Sequence, residues 1–387
     1  MKYVTTGIDI GTESLRICLL ENDTKENTQN VVGFFKYPVG GVHKGHVTNE
    51  LAFKQSLKRA LKDIHAQMGF KVESAAISTA SASLESLLAS QNGIVSKIDS
   101  EITAFDIENI ERQLGESVEQ KSRKIIYSSI VEFKLDGKVT HENPEGQKGI
   151  KLEIKKLFTS IALLQYDLLD TVFYENNVEM THIYPKGISA SKEALSEKMK
   201  VVGVGYLDIG AETTTLTVYE NGLIIGYSLI PVGSNHITND IALGLRISLE
   251  EADQVKQGTS HHIYPRKKVD DIINSRLEDI CELVNTYLKK IKRNELLPGG
   301  LVLNGGGTEV IGIEEQLRQS LKLPIKKVTF EVTTQKKGSV RQSEFLECYG
   351  LALLAHETES SSNNSKHGSL LEKIKKSSSS FLKQFLP

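Results

Sequence analysis

A short strand, turn and strand pattern occurs twice in this chain, in its first few residues and again just past its midpoint. GIDIGTES at 7–14 matches LDIGAETT at 207–214, and VVGFFKYPVGG at 31–41 matches IIGYSLIPVGS at 224–234. Alternating apolar residues with polar turns predict strands in both copies, and a helical stretch follows each third strand. We therefore expect a duplicated unit of three meandering strands and a helix. The alternative is two unrelated meanders of similar composition.

The spacing between the copies indicates where they differ. It is 199 residues at Asp9 and Asp208 but 193 at Pro38 and Pro231, so the first copy contains six extra residues. Since surface loops tolerate insertions best, we expect the extra residues in the turn around Thr24 to Gln29.

Length and composition exclude several classes of protein. The 387 residues can bury at least two hydrophobic cores. The net charge of -2 gives no overall attraction for nucleic acid, and none is expected as a partner. Cys18, Cys281 and Cys348 lack metal-site spacing and are predicted to be buried thiols in a reducing compartment. Without a signal segment or an apolar run of ~20 residues, the chain is expected in the cytoplasm.

The two turns contain the residues that a phosphate site needs. A glycine in each turn allows close approach of the backbone, and successive N–H groups form an anion nest. Hydroxyls follow at Thr12 and Ser14 and at Thr213 and Thr214. The preceding carboxylates, Asp9 and Asp208, are suited to hold the waters of a bound Mg²⁺. Two facing hairpins of this kind predict a clamp for a polyphosphate.

A third glycine turn follows an apolar strand at LVLNGGGTEVIGI, residues 301–313. Backbone exposed by consecutive glycines suits a flat group such as a nucleoside base, whereas the alternative is a plain β-turn. With both hairpins, this turn resembles the superfamily of actin, sugar kinases and heat-shock chaperones. Within it, the chain resembles the FtsA family of bacterial cell division proteins. The stretches that carry this resemblance are GVHKGHVTN (41–49), ENPEGQKGIKLE (142–153), PVGSNHITNDIALGL (231–245), INSRLEDICELV (273–284) and LPGGLVLNGGG (297–307).

The resemblance implies ATP as ligand, with Mg²⁺ held through water by Asp9 and Asp208. It assigns the nucleotide contacts to the first turn, the second turn, the start of the following helix, the ribose and base side, and the third glycine turn. The first turn contributes Asp9, Gly11, Thr12, Glu13 and Ser14, and the second turn contributes Asp208, Gly210, Ala211, Glu212 and Thr213. The start of the following helix contributes Gly233, Ser234, Asn235 and Asp240, and the ribose and base side contributes Asp253 and Lys256. The third glycine turn contributes Gly305, Gly306, Gly307 and Thr308.

The chain departs from that family pattern at two places. Asp253 stands where Glu is usual, and Ala211-Glu212 stands where Gly-Gly is common. Glu212 is therefore expected to place a negative charge beside the phosphates. No residue is identified as a catalytic base, so the chain is expected to be at most a weak ATPase.

An inserted segment separates two parts of the first half. ITAFDIENIERQL at 102–114 predicts an amphipathic helix with a Thr cap, and KIIYSSIVEFKLDGK and GIKLEIKK predict strands. LFTSIALLQYDLLDTVFYENN at 157–177 is expected to be a helix that returns to the main lobe. By resemblance this α+β segment contacts neighbouring subunits and other division proteins. A purely structural insertion is the alternative.

The C-terminal residues form a polar tether followed by a basic amphipathic segment. TESSSNNSKHGS at 358–369 cannot bury enough apolar surface to order itself. At 100° per residue the apolar side chains beyond it share one face, which predicts a helix in an anionic membrane interface, as in the FtsA family. A helix docked on its own protein, or a disordered tail, is the alternative. The apolar residues are Leu370, Leu371, Ile374, Phe381, Leu382, Phe385 and Leu386, and the lysines are Lys373, Lys375, Lys376 and Lys383.

Together these features predict an α/β chain with an actin-like two-lobed fold. The expected first lobe spans 1–82 and 161–196 and contains the inserted subdomain 83–160. The second lobe spans 197–235 and 300–356, with a helical subdomain at 236–299. A flexible linker at 357–368 and a membrane-targeting helix at 369–387 complete the predicted organisation.

Three functions are compatible with this organisation. The first is an ATP-binding division protein that polymerises and anchors the FtsZ ring, through the FtsZ C-terminal tail, to the cytoplasmic face of the membrane. The second is an adaptor of type IV pilus assembly similar to PilM, against which the tail and ENPEGQKGIKLE argue. The third is a small-molecule kinase, which needs an acceptor site with a general base.

Overall fold

The computed structural model describes residues 2–26, 28–97, 99–259, 264–334, 338–340 and 342–364. Strands and helices are mixed along the chain, as predicted for an α/β fold. In the first half they are β1 Lys2–Ile10, β2 Ser14–Asp23, β3 Thr28–Pro38, β4 Val42–His43, β5 His46–Val47, α1 Glu50–Met68, β6 Ser74–Thr79, β7 Glu85–Ile94, α2 Ala104–Val118, β8 Arg123–Leu135, β9 Lys138–Thr140, β10 Lys151–Ala162, α3 Leu163–Glu175, β11 Glu179–Pro185 and α4 Ile188–Ala194.

The second half begins with a short helix and repeats the meander. Its elements are α5 Glu197–Val202, β12 Val204–Ile209, β13 Thr214–Glu220, β14 Leu223–Ile230, α6 Ser234–Leu245, α7 Leu249–Lys256, α8 Arg266–Lys290, β15 Leu301–Asn304, a 3₁₀ helix Gly306–Glu309, α9 Ile313–Leu321, β16 Ile325–Lys327, β17 Val332–Thr334, β18 Gly338–Val340, a 3₁₀ helix Ser343–Phe345 and α10 Leu346–Asn364.

The predicted duplication appears in the strand register. In β1 and β2, Asp9 lies opposite Arg16, and in β12 and β13, Asp208 lies opposite Thr215, which is the same spacing around each turn. The six extra residues do not form a loop as predicted. They lengthen the hairpin, because β2 and β3 have 10 and 11 residues where β13 and β14 have 7 and 8.

The first lobe is built on a sheet with the described strand order β11-β6-β1-β2-β3-β17-β18. Strand β1 pairs parallel to β6 and antiparallel to β2, and its inner residues are fully buried. Asn49 caps the N-terminus of α1 with a side chain that accepts from the N–H of Ala52, and Gly69 caps the C-terminus in the left-handed region. Such caps satisfy backbone groups at the two ends of a helix.

The inserted segment forms its own sheet, in the order β7-β10-β8-β9, with α2 packed on it. Thr103 caps α2 in a capping box with Asp106, as the sequence predicts. The helix predicted from Leu157 is wrong at its start, because it begins only at Leu163. Residues 157–162 belong to β10 and pair with β8, and residues 157–160 pair with β7 as well, which favours the strand over a helical turn.

The second lobe is built on a sheet of order β14-β13-β12-β15-β16. Helices α6, α7, α8 and α9 pack beside it and share one hydrophobic core with its strands. Helix α8 contributes a row of buried residues at helical spacing, from Val269 to Leu288. The amphipathic pattern of 266–290 therefore accounts for the longest helix of this lobe.

After β16 the chain returns to the first lobe. The predicted assignment of all of 300–356 to the second lobe is therefore wrong for its last part, which contains β17 and α10. Strand β17 pairs with β3, and α10 packs against β1, β2 and β6. The approach is close, because a Cβ added to Gly7 would lie 2.0 Å from the carbonyl oxygen of Cys348. Cys18, Cys281 and Cys348 are buried free thiols, as predicted.

The predicted flexible linker at 357–368 is wrong at its N-terminal end, because α10 extends into it. The helix continues to Asn364, so residues 357–364 are helical, and Lys192 on α4 forms an ion pair of 2.6 Å with Glu357. A polar sequence continues a helix that is already packed, because each added residue costs little once the helix exists. The rest of the linker and the predicted membrane helix lie outside the described residues. Among the described helices, none is both long and apolar enough to cross a membrane.

Candidate functional site

The two hairpins face each other across a cleft of about 640 Å³. In the first turn the N–H of Gly11 donates to the carbonyl of Ser14 at 3.1 Å, and in the second the N–H of Gly210 donates to Thr213 at 2.8 Å. A Cβ on either glycine would lie 2.9 Å from that carbonyl oxygen. Both turns are thus closed in the same way, and both need glycine for the close approach.

Most of the residues predicted to contact a nucleotide line this cleft. They are Asp9, Gly11, Thr12, Glu13, Asp208, Gly210, Ala211, Thr213, Ser234, Asn235, Asp253, Lys256, Gly305 and Gly306. The predicted contacts outside this lining are Ser14, Glu212, Gly233, Asp240, Gly307 and Thr308.

Asp240 and Gly233 are directed elsewhere by their neighbours. The carboxylate of Asp240 accepts two hydrogen bonds from Arg276 on α8, at 2.7 and 3.1 Å, so its charge is committed to that ion pair. Gly233 packs under the second turn, where a Cβ would lie 2.6 Å from the carbonyl oxygen of Gly210. Gly233 therefore supports the turn by packing beneath it.

Ser14, Gly307 and Thr308 are buried beside the cleft. The hydroxyl of Ser14 has no hydrogen-bond partner among the described residues. A Cβ on Gly307 would lie 2.3 Å from the side chain of Ile209, and Thr308 donates to the carbonyl of Gly305 at 2.8 Å. Gly307 and Thr308 thus hold the third glycine turn against β12.

The carboxylate of Asp9 lies in a dense set of polar contacts. It is 1% exposed and accepts from Ser78 at 2.9 Å, from Lys186 at 2.8 and 3.0 Å and from Arg16 at 3.3 Å. Burial alone would raise the pKa of Asp9, but the charges of Lys186 and Arg16 outweigh it and hold that pKa below its usual range. Asp9 is therefore ionised and neutralised by cations.

Asp208, the counterpart of Asp9, has no such cation in contact among the described residues. It is 4% exposed and accepts from the amide of Asn304 at 3.1 Å. Burial and the charge of Asp9 raise its pKa, against the more distant positive charges of Lys186 and Arg16. The two aspartates occupy equivalent backbone positions with opposite pKa shifts.

Glu347 at the start of α10 is a further buried acid on the cleft wall. It is 2% exposed, and its Oε2 accepts from the N–H groups of Gly187 and Ala190, at 3.1 and 3.2 Å. Its Oε1 has no hydrogen-bond partner in the described part of the chain. Burial, with the negative charge of Asp9, raises the pKa of Glu347 to about 8.

Sequence reasoning missed Arg16, Lys186, Asn304 and Glu347. Lys186 directly follows β11, which lies parallel to β6, and Asn304 is the last residue of β15, which lies parallel to β12. Both residues therefore lie at the edge of their sheet where the hairpins turn. Ligands of open α/β sheets bind at the carboxyl ends of strands, so this position was an available signal. The sequence offers no comparable signal for Glu347.

Glu13 and Glu212 occupy the same place in the two turns, and each crosses to the opposite lobe. Glu13 accepts from the amide of Asn235 on α6 at 3.0 Å. Glu212 accepts from the backbone N–H of Lys44 at 2.6 Å and contacts His43 Nδ1 at 2.9 Å, in the turn between β4 and β5. Glu212 is thus turned away from the cleft, which corrects the expected charge beside the phosphates.

The opposite side of the cleft combines charge with exposed backbone. Lys256 donates to Thr238 at 2.8 Å and forms an ion pair of 2.7 Å with Asp253. Gly306 has open space where a Cβ would stand, and Gly305 adopts a positive φ of 91° beside Ile209. A flat group can approach this turn without meeting a side chain. In the described residues no group of three or more His, Cys, Asp or Glu is arranged to hold a metal.

Comparison with known proteins identifies the relatives of this chain. The family model described as Cell division protein FtsA matches residues 206–350. An FtsA of Bacillus subtilis (strain 168) is 26% identical over 374 residues, which cover 90% of this chain and 82% of that relative. FtsA proteins from other bacteria match as well. The resemblance to FtsA predicted from the sequence motifs is confirmed.

Solved structures with a similar fold belong to actin-like proteins. A chain of the PilM-PilN type IV pilus biogenesis complex has a TM-score of 0.63 at 16% identity, covering 91% of this chain and 98% of that chain. MreB 5 of Spiroplasma citri bound to AMPPNP has a TM-score of 0.51 at 14% identity, covering 94% and 98%. The predicted actin-like fold is confirmed, and at these identities the likeness concerns the fold alone.

Proposed function

We propose that this chain is an ATP-binding, actin-like cell division protein that polymerises and anchors the FtsZ ring to the cytoplasmic face of the membrane at the division site. The main support is the pair of equivalent hairpins that face one cleft in a chain similar to FtsA over most of its length. Neither hairpin alone is specific, because Asp and Gly are common in turns.

ATP would bind with its phosphates between the turns at Gly11 and Gly210, and with its adenosine against Gly305 and Gly306. The fit rests on the backbone approach that these glycines allow and on the polar lining of the cleft. Mg²⁺, held through water near Asp9 and Asp208, would offset charge on the phosphates. MreB 5, whose structure holds AMPPNP, is an actin-like neighbour with nucleotide bound.

Nucleotide would act here as a ligand that favours the closed cleft. A ligand shifts a conformational equilibrium by its differential affinity for the two states, and both turns contact it only when the cleft is closed. The closed lobes would present the surface that assembles into filaments. Hydrolysis is expected to be weak at most.

Attachment and partners are assigned to separate parts of the chain. Residues 369–387 would bind an anionic membrane as an amphipathic basic helix. The helical subdomain at 236–299 would bind the C-terminal tail of FtsZ, and the subdomain at 83–160 would contact other division proteins. These assignments rest on the sequence patterns and on the similarity to FtsA.

Sedimentation with liposomes tests the proposal. The full chain and a variant lacking residues 369–387 are centrifuged with anionic vesicles, with and without ATP. We expect the full chain to sediment, more so with ATP, and the truncated chain to remain in the supernatant. An intact chain that stays in the supernatant while phosphorylating a small molecule would favour the kinase alternative. An intact chain that binds ATP but does not bind the vesicles would favour the pilus adaptor.

A further inference from the structure

Lys186 adds a cation to the cleft from outside the two hairpins. Its backbone is fixed, since its N–H donates to the carbonyl of Thr79 at 2.9 Å and its carbonyl accepts from the Tyr227 hydroxyl at 3.1 Å. The side chain is 12% exposed, lines the cleft and ends on both carboxylate oxygens of Asp9. The ammonium is thus held at the phosphate side of the cleft.

Asp9 does not depend on Lys186 alone for partners. Ser78 donates to one oxygen of Asp9 and Arg16 to the other, at 2.9 and 3.3 Å. An ammonium has three donors on a flexible stem. Lys186 is therefore able to shift toward another anion while Asp9 keeps two of its partners.

Lys186 has fewer acidic partners than Arg16, the other cation beside Asp9. The guanidinium of Arg16 is shared between Asp9 and Glu344, at 3.3 and 3.5 Å. Lys186 contacts only Asp9 within ion-pair distance among the described residues. Lys256, the cation across the cleft, is committed to Asp253 and Thr238. An anion entering between the two turns would compete with one carboxylate for Lys186 and with two for Arg16.

We propose that Lys186 is a direct ligand of the polyphosphate of a nucleoside di- or triphosphate in this cleft, and that its ammonium moves from Asp9 to a phosphate oxygen on binding. The inference rests on the proposed nucleotide binding. Lys186 would supply positive charge at the phosphates in addition to any divalent cation.

Titration calorimetry with ATP on the full chain tests this role. Lys186→Met should weaken ATP binding by about 10- to 100-fold, the loss of a hydrogen bond between charged groups, and Lys186→Arg should restore most of it. Lys192→Met is the matched control, because Lys192 lies exposed on α4 and pairs with Glu357 away from the cleft. Its affinity for ATP should equal that of the unchanged chain.

The double variant Asp9→Asn with Lys186→Met tests whether Lys186 binds phosphate or only neutralises the charge of Asp9. It leaves no unpaired buried carboxylate at that position, so it also covers the case in which Lys186→Met alone does not fold. We expect the double variant to bind ATP more weakly than Asp9→Asn alone. Equal affinity of these two variants, or unchanged affinity in a folded Lys186→Met, would overturn the inference. If the unchanged chain binds no ATP, the proposed nucleotide binding itself fails.

Discussion

Replacement of Glu212 should loosen the contact between the lobes. Its Oε2 accepts from the N–H of Lys44 at 2.6 Å, and its side chain is 16% exposed. Hydrogen bonds to charged groups contribute about 1.5–3 kcal/mol each. The contact with His43 adds roughly 0–1 kcal/mol, because the His43 side chain is 61% exposed. Glu212→Ala should thus cost the closed state about 1.5–4 kcal/mol.

Because the contact joins opposite lobes, this free energy acts on the equilibrium between open and closed clefts. At 1.4 kcal/mol per factor of ten, the open population should rise roughly 10- to 700-fold. Glu309→Ala is the matched control. Glu309 also lines the cleft, but its contact with Lys327 at 3.8 Å stays within the second lobe.

Energy transfer between dyes on the two lobes measures this opening. Lys58→Cys on α1 and Lys268→Cys on α8 provide exposed attachment points, and the native cysteines are buried and should not react. We expect a lower transfer efficiency in Glu212→Ala than in Glu309→Ala. ATP, which favours the closed cleft in the proposed function, should remove this difference. Identical distance distributions in the two variants would refute the assignment of Glu212 as a contact that keeps the cleft closed.

Three further substitutions test the packing, the buried acid and the helix cap by urea unfolding. Gly7→Ala should destabilise the fold by about 3 kcal/mol or more, since the new Cβ would lie 2.0 Å from a carbonyl oxygen of α10. The control Gly115→Ala, on the open surface of α2, should stabilise the fold by up to ~1 kcal/mol. Similar effects of the two substitutions would contradict the close packing at Gly7. The pKa of about 8 for Glu347 lies above its unfolded value, so the folded state holds the extra proton and stability falls as pH rises from about 4.5 to 8. Glu347→Gln should reduce that fall by about 1–3 kcal/mol between about pH 5.5 and 8.5, and an unchanged slope would disprove the shift. Thr103→Ala should cost about 0.5–2 kcal/mol through the lost cap of α2, and no loss would show that Thr103 does not stabilise it.

The parts predicted correctly from sequence are those that local pattern determines. The turns at Gly11 and Gly210 depend on strand alternation and on glycine, and both signals lie within a few residues. The cap at Thr103 is equally local. The start of α3 was missed because residues 157–162 are apolar enough for either state, and only pairing with β7 and β8 selects the strand.

The parts that sequence did not predict depend on contacts between distant segments. Helix α10 packs against β1 at Gly7, where the missing side chain lets the helix approach the strand. Glu212 was expected beside the phosphates, and its partner Lys44 lies 168 positions away in sequence. Composition predicted that the polar run after residue 357 does not order itself, but a packed helix continues into it as far as Asn364.

Duplication explains the backbone of the cleft but not its charge. The turns after Asp9 and Asp208 share register and hydrogen bonding. Their principal charged and polar neighbours come mostly from outside the repeated unit, from Lys186 after β11, from Asn304 in β15 and from Glu347 in α10. Among the described residues, cations contact Asp9 but not Asp208, and the pKa of Asp9 is lowered while that of Asp208 is raised. Two equivalent hairpins therefore form a cleft whose two sides differ electrostatically, and the difference arises from Arg16 within the first hairpin and from segments outside the repeated unit.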